Sequence, residues 1–448
     1  MLEINVKIDE GFIGESIEEI LEEAKESLIK ADILKCRENK YKFNFVGIIC
    51  KADNLILVFP KNYKEDDLRN LSNEDLQKEF GVIYRVLLNI NQNSANKDDS
   101  EVDIIETDKG NNELSIANSI IKDYIIHGIY NKSEELVSVN SDNEIHWEST
   151  ISLVQPVFSK KAPIYPSLYS FDSFTQEDYV ITQIHKWSVN FCLKKYGDIL
   201  FDQKPQFDEG VIANLKEIGA KDYLLHCINK ELNEVFVDRN TRLLKLLKSL
   251  IEKTFKKETE EMIFGTTSFH VVWEKVCQLI FNNKKDKYKD KIDNLSKPNF
   301  KFKDEVYKKS AMLPDILSLS EKRVFTIDAK YYKVKNISGR FEYDSYPSVE
   351  DVSKQFLYEQ MYEKAVPKET YEAKDFYNIF ISPMPAFKAE SSAKFFVIIG
   401  HVNMKHFDPK KIWVMLLNPK EAYKAYIRKE QKGYDNLERI VDEIKKVK

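Results

Sequence analysis

The sequence predicts an α/β protein: a C-terminal core with a central mixed sheet flanked by helices, preceded by an α+β N-terminal region and a mainly helical middle region. Three observations point there. From Phe264 onward the pattern runs helix, hairpin, helix, then apolar strands near residues 376–382, 394–399 and 411–417, an order that builds a sheet covered by helices. Between Thr175 and Phe255 apolar residues recur at helical spacing instead. Near the start, apolar runs at residues 42–50 and 54–59 are joined through Lys51-Ala52-Asp53 and read as a hairpin.

At 448 residues the chain is long for one domain, and shifts in pattern divide it into 1–150, 151–257 and 258–448, with a boundary near Lys257. Its 43% hydrophobic and 31% charged residues are those of an ordinary soluble protein. No run approaches the roughly 18 apolar residues that cross a bilayer, so no membrane is expected. The opening Met1-Leu2-Glu3-Ile4-Asn5 lacks the basic-then-apolar design of a signal peptide. The five cysteines are scattered, odd in number and never paired as Cys-x-x-Cys, which argues against disulfides, a zinc ribbon or an iron–sulfur cluster and favours the cytoplasm. A net charge of -5 excludes a protein that coats DNA by electrostatics alone. Basicity is local: residues 281–310 carry ten Lys against five Asp and Glu, the mark of a solvated insertion or of a loop that tracks phosphates.

Ser16 with Glu19 has the form of a capping box, and Ile17, Ile20, Leu21, Ala24 and Leu28 then make one apolar stripe. Residues 91–100 (NQNSANKDDS) are polar and aperiodic, a loop or linker. Residues 147–169 mix short β runs with Pro156, Pro163 and Pro166. Thr175 caps a helix in which Val180, Ile184, Trp187 and Phe191 recur, and a leucine-rich helix covers 243–255. Phe264-Gly265-Thr266-Thr267-Ser268 opens the last unit, before a helix with a buried stripe of Phe269, Val272, Trp273, Val276, Cys277 and Ile280.

Chemistry concentrates in Leu313-Pro314-Asp315-Ile316 and Val324-Phe325-Thr326-Ile327-Asp328-Ala329-Lys330. Folded symmetrically about Glu321 and Lys322, these form a hairpin that sets Ser320 against Arg323, Asp315 against Asp328 and Leu313 against Lys330. Strand side chains alternate, so Asp315, Asp328 and Lys330 share a face. An Asp/Glu-x-Lys triplet alone says little, since Glu23-Ala24-Lys25, Asp202-Gln203-Lys204 and Glu372-Ala373-Lys374 also match it. The apolar strand and the Pro-Asp at hairpin-matched distance make this the PD-(D/E)xK pattern.

Opposed carboxylates on a sheet repel, and a cation between them reverses the sign of that interaction. Mg²⁺ takes one or two carboxylates and completes its octahedron with water and substrate phosphate. Asp315, Asp328 and the backbone carbonyl of Ala329 are the expected ligands, with Glu274, beside the buried stripe of its helix, as a further ligand or the orienter of one. Lys330 would orient or deprotonate the attacking water, or steady the phosphate. On the next helix Gln355, Tyr358 and Tyr362 fall on one face with Lys354 beside it, groups that suit a DNA backbone. A polar hairpin patch, a surface glutamate and a half-exposed helix face are the plain alternatives.

These residues resemble the LlaJI family of restriction endonucleases, which are similar in turn to McrC, the nuclease subunit of modification-dependent restriction systems. Phe264-Gly265-Thr266-Thr267-Ser268-Phe269-His270, Trp273-Glu274-Lys275-Val276-Cys277, Leu313-Pro314-Asp315-Ile316, Asp328-Ala329-Lys330-Tyr331-Tyr332 and Lys354-Gln355-Phe356-Leu357-Tyr358 carry it. Softer matches lie at Phe45-Val46-Gly47-Ile48-Ile49, Val58-Phe59-Pro60-Lys61, Asp123-Tyr124, Gly128-Ile129-Tyr130 and His146-Trp147-Glu148. The resemblance implies cleavage of double-stranded DNA in defence against foreign DNA, beside an AAA+ NTPase partner of the McrB type, with self-association for double-strand cutting. It also implies that the N-terminal half docks on the motor. The sequence has no Gly-x-x-x-x-Gly-Lys-Ser/Thr loop, so a motor must be another chain. A RecB-type repair nuclease and a non-catalytic activator of an AAA+ motor are the competing readings.

Overall fold

In the computed structural model the chain is described except for residues 1–2, 12, 38–39, 52–53, 95–101, 108–111, 132, 141–143, 160–161, 176–178, 208–209, 211, 213, 256–260, 298, 303–304, 309–312, 321–322, 338–339, 367–374, 387–393 and 448. The expected turn residues Ala52, Asp53, Glu321 and Lys322, and the boundary at Lys257, lie outside the described residues. The protein is a mixed α/β molecule of two compact units, Met1–Thr107 with Asp198–Asp202 and Thr259–Lys448, and Asp108–Gly197 with Gln203–Glu258.

The first unit holds two five-stranded mixed sheets. The first sheet comprises β1 (Glu3–Ile8), β2 (Val46–Lys51), β3 (Asn54–Phe59), β4 (Ile104–Glu106) and β5 (Met262–Thr266), in the order β1-β3-β2-β5-β4. β2 and β3 form the expected hairpin, with Lys51 opposite Asn54. β1 adds to β3 in parallel, and β5 runs antiparallel to both β2 and β4. This pairing makes Phe264-Gly265-Thr266 part of the N-terminal sheet rather than the opening of a separate unit. Glycines allow it: Gly47 faces Gly265, and a Cβ on Gly265 would come within 2.4 Å of Val46 O.

Helix α1 (Asn73–Ser94) extends into what reads in sequence as a linker. At the N-terminus, the anticipated single helix is divided into Glu15–Ile20 and Lys25–Lys30 by a short 3-10 turn, and it starts at Gly14 with no side-chain cap. Its stripe still buries Ile17, Leu21, Ala24 and Leu28.

The second sheet comprises β6 (Ile316–Leu319), β7 (Arg323–Ala329), β8 (Asp375–Pro383), β9 (Phe396–Val402) and β10 (Ile412–Leu417), in the order β6-β7-β8-β10-β9. β7, β8 and β10 are parallel and the edge strands antiparallel. Helix α2 (Phe269–Ile280) buries all six residues of its stripe, Trp273 fully. Within the Lys-rich run, α3 (Lys289–Ser296) packs Ile292, with Tyr288 before it, against Leu317, Val324 and Tyr362. Tyr362 lies on α4 (Val349–Ala365). The order helix, hairpin, helix, strands is therefore the one expected.

In the second unit the helices Glu113–His127, Lys221–Glu234 and Asp238–Phe255 dominate, with most of Val180–Leu200. The leucine-rich helix expected over 243–255 starts at Asp238, and the helix expected from Thr175 starts at Val180, Thr175 ending a strand. These helices are joined by an antiparallel pair, Ser133–Val139 with Tyr169–Thr175. Two buried polar contacts hold this unit: His185 Nδ1 accepts from the Tyr130 N–H at 2.9 Å, and Glu231 accepts from the Tyr130 hydroxyl at 2.6 Å. Burial pushes His185 down to about 4, so its ring is neutral there. Among the described residues no helix is long and apolar enough to cross a membrane.

Because backbone atoms would meet the added methyl, Gly265→Ala should lower stability by about 1–3 kcal/mol, the usual cost of overpacking. Urea unfolding of wild-type and variant checks this, and an unchanged midpoint would mean β2 and β5 need no close approach.

Candidate active site

The hairpin register is the one the sequence implies. Ile316 lies opposite Ile327 and Leu319 opposite Val324, and the Ser320 N–H donates to the Arg323 carbonyl at 3.0 Å. One step further, Asp315 comes level with Asp328, and its Oδ2 accepts from the Ala329 N–H at 2.8 Å. The Lys330 N–H donates to the Ile381 carbonyl at 2.7 Å, so β8 carries the lysine's backbone one residue past the strand end.

Asp328 is 9% exposed, and Lys330 Nζ sits 2.8 Å from its Oδ2. The same ammonium is 2.8 Å from Asp351 Oδ1. Asp351 stands in the first turn of α4 and forms a capping box with Ser348. Burial works against the charge of Lys330, but Asp328 and Asp351 outweigh it and hold the ammonium well above its ordinary range. Burial likewise opposes ionisation of Asp351, and the hydrogen bonds from Lys330 and Ser348 overcome it, holding this carboxyl below its usual value.

Asp315 is the strained member. Burial first, then the charges of Asp328 and Glu274, push its carboxyl up to about 8. Glu274, half-buried on α2, accepts from Gln278 Nε2 at 2.8 Å, and the same amide reaches the Asp315 carbonyl at 3.3 Å. Asn283 Nδ2 also approaches that carbonyl at 3.4 Å, while its Oδ1 accepts from the Leu317 N–H at 3.0 Å. Asp315 is thus fixed through its backbone from the α2 side.

Helix α4 lies against the same face. Gln355 is 1% exposed, and its Nε2 donates to the Thr326 carbonyl at 2.9 Å. Tyr358 is 9% exposed, and burial together with Asp328 and Asp315 raises its phenol to about 12. Of the three residues expected to meet DNA, Gln355 is therefore turned inward onto the hairpin strand, because the 355/358/362 face is the packing face. Tyr358 is directed at the acids. Lys354 is half-exposed and pairs with Glu350. Sequence reasoning brings Asp315, Asp328 and Lys330 together, with Glu274 near them, but it misses Asp351, Gln278 and Asn283. Ser348-x-x-Asp351, a capping box in plain sequence, was the available signal for Asp351.

The residue after Lys330 links the two sheets of this unit. The buried Tyr331 hydroxyl accepts from the Lys61 N–H at 2.9 Å and approaches Asp9 Oδ2 at 3.4 Å. Burial, opposed by Lys61 and aided by Glu10, lifts Asp9 to about 7.

Fold and site define a mixed α/β protein that gathers two carboxylates and an ammonium on one face of a sheet hairpin. The chain belongs to the LlaJI restriction endonuclease family, whose model matches residues 45–420. It is 30% identical over 416 residues to the type II restriction enzyme BsuMI component YdjA of Bacillus subtilis (strain 168), covering 91% of this chain and 85% of that protein. It is also similar to a chain in the refined half-complex from a tetradecameric assembly of Thermococcus gammatolerans McrB AAA+ hexamers with bound McrC. That match has 11% identity and a TM-score of 0.35, covering 95% of this chain and 99% of the other. A cryo-EM structure of the Thermococcus gammatolerans McrBC complex matches with 10% identity and a TM-score of 0.25, over 60% of this chain and 84% of that one.

Asp315 titrates near 8 when folded against 3.8 as its ordinary value, so between these values the folded chain holds a proton that the unfolded chain has lost. Its contribution to stability is full at the acid end and is lost as pH rises toward 8. Asp9 acts in the same direction in both proteins, so the comparison to make is wild-type against Asp315→Asn, each metal-free, by urea unfolding across this range. The variant's stability should decline less with pH; parallel curves would contradict a raised Asp315.

Proposed function

We propose that this chain is the nuclease component of a restriction system, a Mg²⁺-dependent endodeoxyribonuclease with a PD-(D/E)xK core that cuts double-stranded DNA beside a separate AAA+ NTPase subunit. The observation that carries the reading is the meeting of Asp315, Asp328 and Lys330 on one hairpin face, in a chain of the LlaJI restriction endonuclease family.

The donor set fits a hard divalent cation. Burial and the neighbouring acids Asp328 and Glu274 push Asp315 up to about 8, the repulsion that a cation between the two acids would relieve. No group of three or more His, Cys, Asp or Glu forms a metal-binding cluster among the described residues. A pair is what Mg²⁺ commonly takes from a protein. Asp315 and Asp328 would hold the ion with the Ala329 carbonyl, and Glu274 would assist from α2. Bound there, the ion polarises a phosphodiester and makes its water more acidic. Lys330, kept protonated by Asp328 and Asp351, is suited to donating a hydrogen bond to a phosphate oxygen and orienting the water, not to abstracting a proton. Tyr358 faces the acids from α4, Lys354 on the same helix would meet a DNA backbone, and Gln355 anchors the helix to the Thr326 carbonyl.

A divided enzyme agrees with the Bacillus subtilis relative, which is one component of a type II restriction enzyme. This chain has no phosphate-binding loop of its own. Self-association would bring two such centres to the two strands.

Asp328→Ala and Lys330→Ala should each slow plasmid cleavage by roughly a thousandfold or more, equivalent to losing several kcal/mol of charge stabilisation. The assay is plasmid cutting in Mg²⁺ with and without the AAA+ partner and nucleotide. Cutting that needs both the partner and an intact Asp328 is expected. Wild-type rates in either variant would refute the site, and cutting by the chain alone would move the reading to an autonomous nuclease.

A further inference from the structure

One ammonium between two carboxylates is more than a PD-(D/E)xK centre requires. Lys330 Nζ stands 2.8 Å from Asp328 Oδ2 and 2.8 Å from Asp351 Oδ1, with the three side chains only 19%, 13% and 27% exposed. Asp351 divides its two oxygens between two tasks. Oδ1 takes the lysine, while Oδ2 accepts from the Ser348 N–H at 3.0 Å and the Ser348 hydroxyl at 2.8 Å. The cap is reciprocal, since the Asp351 N–H donates to Ser348 Oγ at 3.1 Å. Asp351 is therefore held at the start of α4 by contacts that do not involve Lys330, and it presents a fixed oxygen to it.

We propose that Asp351 is the positioning residue of this centre, the carboxylate that keeps Lys330 in place when a divalent cation takes up Asp328. The inference rests on the metal-centre reading of Asp315 and Asp328. Lys330 and the cation are drawn to the same carboxylate, Asp328. An ammonium with a second acid can yield that carboxylate and stay beside the reacting phosphate. Without Asp351, Asp328 is the one ion-pair partner it keeps among the described residues, so it competes with the ion. The four carboxylates Asp315, Asp328, Glu274 and Asp351, one ammonium and one divalent cation leave a net charge of about -1, near the balance that keeping so many charges out of water requires. Asp351 thus does its work through Lys330 and touches neither metal nor substrate.

The test reads metal binding rather than cleavage: calorimetric titration of Mn²⁺, an octahedral ion with the same preference for oxygen, into the purified full-length chain. Asp351→Asn should weaken Mn²⁺ binding about five-fold, within the usual range of coupling between contacting groups. Lys330→Met should tighten it. In the Lys330→Met background, Asp351→Asn should change affinity by less than about two-fold, because the competitor is gone. Asp351→Glu, which keeps the charge, should recover most of the affinity. Ser348→Ala, which loosens the hold on Asp351 while leaving its carboxylate charge beside Lys330, should weaken Mn²⁺ binding less than Asp351→Asn does, and thermal melts of every variant check that it is folded. Equal weakening with and without Lys330, or the same loss in Ser348→Ala, would overturn the inference and leave the metal centre standing. Absence of any Mn²⁺ binding that Asp328→Ala removes would overturn the metal-centre reading, and this inference with it.

Discussion

Asp315 and Asp328 meet because of the register in which the strands β6 and β7 pair, with Ile316 opposite Ile327. A shift of one residue would send every β6 side chain to the opposite face and part the two acids. Both faces of β6 are buried, Ile316 on one side and Leu317 on the other, so the shift would repack both sides of the sheet rather than expose either. Side chains outside the sheet reinforce the register, since Asn283 accepts from the Leu317 N–H and the Ser318 hydroxyl donates to the Phe281 carbonyl at 2.6 Å. Packing energy thus holds together two like charges that would otherwise separate, and the neighbouring groups (the Ala329 N–H, Lys330, and the raised Asp315 itself) offset that repulsion.

The support reaches well past the hairpin. Under α4 a buried polar network joins Gln355 to Thr326, Thr326 to Asn378 and Asn378 to Glu359, with Lys410 pairing to Glu359 at 3.0 Å. Groups this buried are costly unless satisfied, and once satisfied they define a single arrangement. The helix that carries Asp351 and Tyr358 is therefore held on β7 and β8 by directional bonds as well as by apolar packing. On the other side, Tyr331 ties the chain just after Lys330 to Lys61 and Asp9 of the N-terminal strands. The N-terminal sheet is thus part of the frame that positions the lysine.

Much of this was legible in the sequence, for identifiable reasons. The stripe of α2 and the hairpin of β6 and β7 are local patterns, periodicities of 3.6 and 2 that burial enforces, and both appear where the residues place them. Long-range pairing was not legible. Nothing local distinguishes Phe264-Gly265-Thr266 as the strand that completes a sheet begun more than two hundred residues earlier; only the facing glycines Gly47 and Gly265 record it. Gln355 shows the same limit. A polar side chain on a helix face reads as a surface contact until a carbonyl such as that of Thr326 is found beneath it. Asp351 was hidden by its first task, since a capping residue does not reveal from sequence which of its oxygens is spare.

The central claim is that Asp315 and Asp328 together hold a divalent cation, and anomalous diffraction from crystals grown with Mn²⁺ tests it most directly. A peak at about 2.1–2.3 Å from an oxygen of each carboxylate, with Lys330 still resting on Asp351, is the predicted result. An empty hairpin at saturating Mn²⁺, with Lys330 Nζ remaining on Asp328, would contradict it.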